Sequence, residues 1–279
     1  MSWRRRLRPL VPARYRSQAI VDRWVERATG ATVVAGPFAG MKYVVDPAAL
    51  VLPKLLGSYE RELTGVVEEC IEAAYPLVVN AGAAEGYYAI GLARANRDTR
   101  VVAFETDRRR RELLAEIAAL NGVHERIEIA GACDRRALER ALGEVDRRRP
   151  GSGEGRPDRL ALDRAVGQAN GSLLLVDIEG GEGELLDPQA VPALNRCTIL
   201  VELHPHAVPG VDDTLRDRFA SSHHIEEIAS ELRRREDFPP IPVPLWLRLL
   251  FAEAMVNVMQ ERRPERMHWF YMKPTRSRT

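Results

Sequence analysis

Between residues 77 and 203, short apolar runs that suit β-strands alternate with segments whose apolar residues recur at helical spacing. Strands that alternate with helices build a parallel sheet that is covered by helices on both faces. The chain is therefore predicted to be an α/β protein with a doubly wound, mostly parallel sheet. The predicted strands are Leu77–Val79, Arg100–Phe104, Arg126–Ala130, Leu173–Ile178 and Thr198–Leu203, and the predicted helices are Tyr87–Ala95, Arg108–Asn121, Arg135–Val145 and Pro188–Leu194.

The pattern is looser on both sides of this alternation. Residues 1–56 are predicted to form a basic helical arm followed by a short hairpin, and residues 57–279 are predicted to form the main domain. The elements predicted outside the alternation are a hairpin at Thr32–Val45, helices at Glu60–Ala74, Val211–Arg218, Ile225–Arg234 and Trp246–Arg262, and a closing strand at His268–Lys273.

Charge and cysteine content exclude several classes of protein. The 279 residues carry 41 Lys and Arg against 40 Asp and Glu, a net charge of +1, so no nucleic-acid partner is expected. Three widely spaced cysteines argue against a disulfide framework or a structural zinc site, and they favour a reducing, cytoplasmic location. No apolar run reaches the roughly 18 residues that a membrane-spanning helix needs.

The arm from Met1 to Ile20 contains six arginines and no acidic residue. It could touch membrane headgroups or another polyanion, or it could be a helix that packs on the domain with a solvated arginine face. Pro9 and Pro12 interrupt an amphipathic face, and Trp3 with Leu7 offers little apolar area. No stable membrane anchoring is therefore expected.

The run Val79–Gly86 (VNAGAAEG) leaves one predicted strand and opens the next predicted helix. Small residues at such a turn let a ligand lie directly on the backbone, although a purely structural turn would use the same residues. A dinucleotide fingerprint requires a glycine where Ala84 stands, and the Gly-Lys-Ser/Thr of a phosphate-binding loop is absent. The remaining G-x-x-x-G spacing suits S-adenosylmethionine, which has no phosphate to cradle. The candidate cofactor-binding residues of this turn are Asn80, Ala81, Gly82 and Gly86.

Glu105 ends the next predicted strand, 23 residues after Gly82. A carboxylate at this point of a βαβ unit is expected to accept both ribose hydroxyls of a nucleoside ligand. Thr106 follows directly and is a further candidate for cofactor binding. Cys133 and Asp134 follow the third strand, where an adenine edge would lie, although Asp134 could instead cap the next helix.

These segments together resemble class I S-adenosylmethionine-dependent methyltransferases. Residues 78–107 (VVNAGAAEGYYAIGLARANRDTRVVAFETD) are similar to motifs I and II of that superfamily. Further segments resemble its FkbM-type subgroup, whose members are mainly O-methyltransferases: Asn121, the pair Leu162-Asp163, the run Val176–Glu182 (VDIEGGE), and the strand Ile199–His204. Asn80 departs from the pattern, because an acid is common at that position.

The resemblance covers about Gly57 to His206 and the closing strand. It implies a seven-stranded Rossmann-like sheet, S-adenosylmethionine as cofactor, and a small-molecule acceptor such as a sugar or natural product. Residues 207–262 would then form the acceptor or lid region, with Trp246, Phe251 and Met255 either in the core or lining an acceptor pocket. A homodimer is one possible assembly of the chain.

A polar cluster is predicted at the ends of the fourth and fifth strands. Side-chain alternation puts Asp177 and Glu179 on one side of the fourth strand, and Glu202 and His204 on one side of the fifth. His204 could act as a general base beside Asp177 and Glu179, or Asp177, Glu202 and His204 could bind a divalent cation. A set of hydrogen bonds that anchors loops is the third alternative. Asp177 is also a candidate for cofactor binding. His206 is a spare candidate, and His223 with His224 is predicted to lie on a surface helix or loop.

Three other functions are weighed against O-methylation of a small molecule. An N-methyltransferase or a protein or RNA methyltransferase would share the fold, but the Asn/Asp-Pro-Pro-Tyr/Phe motif of amino-group methylases is absent. A non-catalytic nucleotide-binding scaffold would keep the fold without chemistry. A NAD-dependent oxidoreductase is disfavoured by the glycine pattern.

Overall fold

The computed structural model describes residues 17–45, 50–147, 171–261 and 267–275. Within these ranges, the strands are β1 (Leu77–Ala81), β2 (Arg100–Phe104), β3 (Ile127–Ala130), β4 (Ser172–Val176), β5 (Thr198–Leu203), β6 (His223–Ala229) and β7 (His268–Pro274). The α-helices are α1 (Ser17–Thr29), α2 (Val51–Leu56), α3 (Thr64–Ala73), α4 (Tyr87–Ala95), α5 (Arg108–Leu120), α6 (Arg135–Arg147), α7 (Glu182–Leu185), α8 (Val211–Phe219), α9 (Leu245–Leu250) and α10 (Ala252–Asn257). Most of the basic arm and the pair Leu162-Asp163 lie outside the described residues.

The seven strands form one sheet in the order β3-β2-β1-β4-β5-β7-β6. The first five strands pair in parallel, and β7 pairs antiparallel with both β5 and β6. This order confirms the predicted fold class, a doubly wound, mostly parallel and Rossmann-like sheet of seven strands. The chain runs from β1 outward through β2 and β3, and then returns to the other side of β1 with β4. In open α/β sheets, ligands bind at the carboxyl ends of the strands where the order reverses in this way.

Burial explains why the central strands read as continuous apolar runs. Every residue of β1, β4 and β5 is buried, because helices cover both faces of a parallel sheet. On one face, Val79, Val176 and Val201 belong to a core that also contains Leu138 of α6 and Leu215 of α8. This core holds the carboxyl ends of neighbouring strands in fixed register.

The predicted helix at Ile225–Arg234 is wrong, because this part of the chain forms strand β6 instead. Ile225, Ile228 and Ala229 follow helical spacing in the sequence, but β6 pairs with β7 over seven positions. This pairing overrides the local pattern, as tertiary contacts often do. His223 is therefore a buried strand residue and not a surface one, whereas His224 is exposed.

The predicted helix at Trp246–Arg262 is two short helices. The backbone leaves the helical region at Phe251 (φ −128°, ψ 29°), which ends α9 and starts α10. After the break, Met255 of α10 and Met259 just beyond it lie in a core, while Trp246 stays exposed. The predicted core position of Trp246 is therefore wrong. The helix predicted at Pro188–Leu194 is a 3₁₀ helix at Pro192–Arg196, preceded by the single helical turn of α7.

The chain divides into two compact units. The described part of the first unit comprises residues 17–45, 50–64 and 231–261, and its core joins residues of α1, α2, α9 and α10. The predicted hairpin lies in this unit and contains one bridge, between Thr32 and Lys42. The described part of the second unit comprises residues 65–147, 171–230 and 267–275 and contains the whole sheet. Residues 231–261 thus group with the described N-terminal residues, and the acceptor role of residues 207–262 stays a prediction.

None of the described helices combines the length and the apolar character that crossing a membrane requires.

Candidate functional site

The candidate site residues gather at the carboxyl ends of β1, β2, β4 and β5, on both sides of the strand-order reversal. The amide of Asp177, just after β4, donates to the carbonyl of Ala81 at the end of β1 over 3.0 Å. The amides of Gly82 and Ala83 both donate to the carbonyl of Phe104 over 2.9 Å. These backbone bonds keep the strand ends together after the regular ladders stop.

The glycine turn is shaped by the chain itself. Gly82 has a φ of 80°, and a Cβ atom there would lie 1.7 Å from the carbonyl oxygen of Asp177. Gly86 has a φ of 92°, and its Cβ would lie 2.8 Å from Cγ of Leu114. Both glycines are therefore required by left-handed backbone and by close packing. Asn80 and Ala81 are buried in β1 directly before the turn. The structural alternative explains the glycines fully, so their contact with a cofactor stays a prediction.

Glu105 ties the turn to the end of β2. Its carboxylate accepts the amide of Ala84 at Oε2 and the amide of Asp107 at Oε1, each over 2.8 Å. Ala84 has a φ of 47°, a left-handed conformation that alanine rarely adopts. Each carboxylate oxygen has two lone pairs, so both can still accept a hydroxyl. Thr106 next to it is exposed, and its carbonyl accepts a bond from Arg111.

The loop after β3 shows whether Asp134 caps the next helix, the alternative to a contact with adenine. Asp134 caps α6, since its Oδ1 accepts the amide of Ala137 over 2.7 Å. Cys133 is half-buried and packs against the core. Burial, with the added charge of Asp134, raises the pKa of the Cys133 thiol to about 12. Cys133 is therefore a neutral thiol near pH 7 and suits the apolar wall of a pocket better than a nucleophile.

The polar cluster is centred on the buried imidazole of His204. Its Nδ1 lies 2.8 Å from Oε1 of Glu182, a carboxylate that is itself fully buried. The same oxygen accepts the amide of Gly180 over 3.0 Å. Its Nε2 lies 3.7 Å from Oδ1 of Asp177 and 3.6 Å from Oε2 of Glu179. A carboxylate only accepts, so in the neutral imidazole Nδ1 carries the proton and Nε2 is the basic nitrogen.

The charges around His204 stabilise its protonated form. Burial alone would lower the pKa of His204, but the hydrogen bond and charge of Glu182, with the charges of Asp177 and Glu179, raise it above its ordinary value. Burial would likewise raise the pKa of Glu182, but the hydrogen bonds from His204 and Gly180 lower it. Glu182 is therefore a fixed anion that orients the imidazole and stabilises its positive charge.

The structure brings Asp177, Glu179 and His204 together as expected, but Glu202 is not among the described carboxylates gathered at Nε2. Glu202 stays inside β5, buried and in register with Trp269, because the strand continues to Leu203. Its place as the predicted third metal ligand is taken by Glu179. His206 is exposed, with its ring centroid 5.7 Å from that of His204.

Sequence reasoning missed Glu182. The chain leaves β4 at Val176 and turns sharply, with left-handed backbone at Glu179 (φ 57°) and Gly180 (φ 109°). This turn carries Glu182 back to His204, which strand alternation cannot predict. The glycine pair in Val176–Glu182 was the available signal, since it indicates a tight turn before the second acid.

The cluster also fits a divalent cation. Asp177, Glu179 and His204 each offer one ligand atom, and these atoms lie within 4.8 Å of one another. Divalent metal ions can be coordinated by a ligand set of two carboxylates and one imidazole. A metal-bound histidine commonly donates the N–H of its other ring nitrogen to a carboxylate, as His204 does from Nδ1 to Glu182.

No protein-family model matches the chain, and no curated protein is significantly similar to it. Among solved structures, it is similar to the O-methyltransferase TomG from Streptomyces achromogenes, which is involved in tomaymycin synthesis and was solved with SAM; the identity is 16%, covering 82% of this chain and 92% of that chain, with a TM-score of 0.43. It is also similar to the O-methyltransferase from Bacillus cereus in complex with SAH, at 12% identity over 96% of this chain and 94% of that chain, with a TM-score of 0.41.

A third similar structure is precorrin-6y C5,15-methyltransferase from Geobacter metallireducens GS-15, at 9% identity over 76% of this chain and 89% of that chain, with a TM-score of 0.41. Likenesses at this identity and TM-score carry no argument about this chain. The fold is therefore taken from the strand order of its own sheet, and function from its own site.

Proposed function

We propose that this protein is an enzyme that transfers the methyl group of S-adenosylmethionine to a hydroxyl oxygen of a small molecule. One observation carries the proposal: at the reversal of strand order, the buried carboxylate of Glu105 braces the glycine turn, while the imidazole of His204 is poised at the adjoining strand ends. Glu105 follows β2 and His204 follows β5, so both lie at the carboxyl-terminal edge of one sheet, on opposite sides of the strand-order reversal between β1 and β4. This arrangement supports Glu105 as the ribose acceptor and His204 as the general base.

The donor side favours a nucleoside without phosphates. The residues of the turn provide no lysine for a phosphate and no glycine where Ala84 stands, both of which nucleotide-phosphate motifs use. Glu105 keeps lone pairs for two ribose hydroxyls while it holds the turn in place. When bound, S-adenosylmethionine supplies a methyl group on a positively charged sulfur that leaves as a neutral thioether.

On the acceptor side, His204 takes the hydroxyl proton at Nε2. Glu182 holds Nδ1–H in place, so the basic nitrogen points toward the open side of the cluster, where Asp177 and Glu179 lie. The carboxylates stabilise the imidazolium that forms when the proton arrives. Positioning of the two reactants and removal of this proton supply the catalysis.

A second route, in which a divalent cation activates the acceptor hydroxyl, is supported by a separate observation. The ligand atoms of Asp177, Glu179 and His204 are close enough to hold one divalent cation, which would lower the pKa of an acceptor hydroxyl. The metal-free route is preferred, because Glu182 already gives the imidazole the tautomer and charge partner that a general base needs.

Membership of the FkbM-type subgroup is part of the proposal. It rests on the run Val176–Glu182, in which Asp177, Glu179 and Glu182 all lie around His204. The sugar or natural-product acceptor rests on that resemblance as well.

The proposal is tested by incubating the protein with methyl-labelled S-adenosylmethionine and a cell extract separated into small-molecule, protein and RNA fractions. Label in the small-molecule fraction as a methyl ether, with matching release of S-adenosylhomocysteine, supports it. Label in the protein or RNA fraction, or on nitrogen, contradicts O-methylation of a small molecule. Chelator-sensitive transfer that magnesium or manganese restores replaces the metal-free route by the cation route.

A further inference from the structure

Helix α9 (sequence LWLRLL) carries most of its apolar side chains on the outside of the protein. Its one buried residue is Leu247. A single exposed leucine is ordinary, but several large apolar side chains on one short helix form a patch that marks an interaction surface. The exposed set, called the apolar arc below, is Leu245 (68%), Trp246 (51%), Leu249 (69%) and Leu250 (69%).

The arc is continuous around the helix. Successive residues of an α-helix are about 100° apart, so Leu249 lies above Leu245 and Leu250 above Trp246. Arg248 is exposed and lies at the edge of the arc, whereas Leu247 points to the opposite side. The arc is thus an apolar face with an arginine at its margin.

Arg248 also lines a cavity of about 400 Å³. Its wall combines apolar side chains, among them Phe238, Ile241 and Met255, with the charged residues Arg235 and Glu236. The residue that borders the arc therefore also borders a cavity of mixed polar and apolar character.

A positively charged stretch of the sequence joins the described residues close to α9. Exposed arginines and acids nearly balance around α9, with Glu236 and Glu253 opposing Arg235 and Arg248. An excess of positive charge is found instead in the sequence of residues 1–20, which carry six arginines and no acid. Helix α1 begins at the end of that stretch, and the side-chain amide of Gln18 donates to the carbonyl of Ala254 in α10 over 3.3 Å. Since α10 directly follows α9, the basic stretch joins the described chain one helix away from the apolar arc.

We infer that α9 docks this protein reversibly on an anionic lipid surface, with the apolar arc inserted at the level of the headgroups. Tryptophan is favoured at that level, and leucine supplies the apolar area. Binding at such a surface increases with the inserted apolar area and with the electrostatic attraction to anionic lipid. The apolar arc supplies the area, and the sequence of residues 1–20 supplies six arginines for the attraction. A second copy of the chain fits less well, because a stable dimer buries roughly 800 Å² on each partner, more than four half-exposed side chains offer.

This inference does not depend on the proposed function. The expectation of no stable membrane anchoring concerns the arm at residues 1–20, whose prolines interrupt an amphipathic face. The sequence predicts Trp246 in the core or in an acceptor pocket. Its exposure on α9 is the observation that makes reversible docking a different case from anchoring by the arm.

The test compares Leu249→Glu with Leu120→Glu in the full-length protein. Leu120, in α5, is also an exposed helical leucine (46%), so the same change there is a matched control. Each protein is co-sedimented with vesicles of equal parts phosphatidylcholine and phosphatidylglycerol, and with vesicles of phosphatidylcholine alone. Binding is followed in parallel by the blue shift of tryptophan emission, which the Trp246→Leu variant assigns.

The natural protein and Leu120→Glu should bind the anionic vesicles and show the blue shift. The affinity of Leu249→Glu for these vesicles should be at least about tenfold lower, because the change removes the apolar area of a leucine that would insert into the lipid and adds a charge that anionic lipid repels. Phosphatidylcholine alone should bind all three proteins poorly. A blue shift that persists in Trp246→Leu would contradict insertion of the arc.

Three results would overturn the inference. In the first, Leu249→Glu binds the anionic vesicles as well as Leu120→Glu does. In the second, neither the natural protein nor the control binds them, and Leu249→Glu halves the particle mass in light scattering, which assigns the arc to a second copy. In the third, Leu249→Glu lowers the melting temperature far more than the control without any change in vesicle binding, which means that the chain itself covers the arc.

Discussion

The carboxyl ends of β1 and β2, called the first edge below, and the carboxyl ends of β4 and β5, called the second edge, hold their polar groups in opposite ways. At the ends of β1 and β2, the carboxylate of Glu105 is fixed by two backbone amides, and the two glycines of the turn pack closely against Asp177 and Leu114. At the ends of β4 and β5, the imidazole of His204 is fixed on one nitrogen only. Its other nitrogen faces two carboxylates at 3.6–3.7 Å, and their side chains are 42% and 83% exposed.

Under the proposed function, this difference assigns donor binding to the first edge and the reaction to the second. A carboxylate held by amides cannot reorient, so the first edge is suited to recognising a fixed ligand. An imidazole with one nitrogen free to exchange a proton is suited to chemistry near neutral pH. Changes at the first edge should therefore alter donor affinity, and changes at the second should alter turnover.

The largest expected effect is on turnover at the second edge. His204→Ala should lower the rate of methyl transfer by about 10²–10⁴-fold, the scale of a general base, while donor affinity barely changes. His206→Ala is the matched control, because His206 is a neighbouring but exposed imidazole. Equal activity in both variants would remove the distinction between the two edges.

The next effect is on donor affinity at the first edge. Glu105→Ala removes two charge-assisted hydrogen bonds to the ribose, each worth roughly 1.5–3 kcal/mol, so the dissociation constant should rise about 100-fold or more. Glu128→Gln, an exposed carboxylate change on β3, should leave affinity unaltered. Chemical denaturation accompanies the titrations, since Glu105 also braces the turn. A stable variant with unchanged affinity would place the adenosine elsewhere.

The smallest expected effect is on pH dependence. The base form of His204 is lost as pH falls through its raised pKa, so activity should decline on the acid side of the profile. Glu182→Gln removes the anion that contributes most to that rise, so the acid limb should move to lower pH. Glu179→Gln should move it less, because Glu179 is mostly exposed and its charge is screened by solvent. An acid limb that stays in place in Glu182→Gln would show that His204 is not the titrating group.

The same comparison separates what the sequence predicts well from what it does not. The bounds of β2 and α4 are predicted to the residue, because apolar runs and a glycine turn mark them locally. Glu105 follows from its place at a strand end. The second edge is less predictable, because left-handed backbone at Glu179 and Gly180 carries Glu182 to His204, and alternation along a strand does not describe such a turn.

Strand β6 and helix α9 are missed for a related reason. The isoleucines of β6 have helical spacing, and only the pairing with β7 makes them a strand. Trp246 belongs to an apolar run that resembles a core helix, and only the break at Phe251 leaves it exposed. In both cases the deciding interaction is distant in sequence or depends on one backbone residue.

The most direct test of the account is a calorimetric titration of the natural protein with S-adenosylmethionine, S-adenosylhomocysteine and NAD. The two sulfur nucleosides should bind with micromolar dissociation constants, because the turn and Glu105 accept a ribose without phosphates, and NAD should give no heat of binding. Binding of NAD with no response to either sulfur nucleoside would contradict the assignment of the first edge, and with it the proposed methyl transfer.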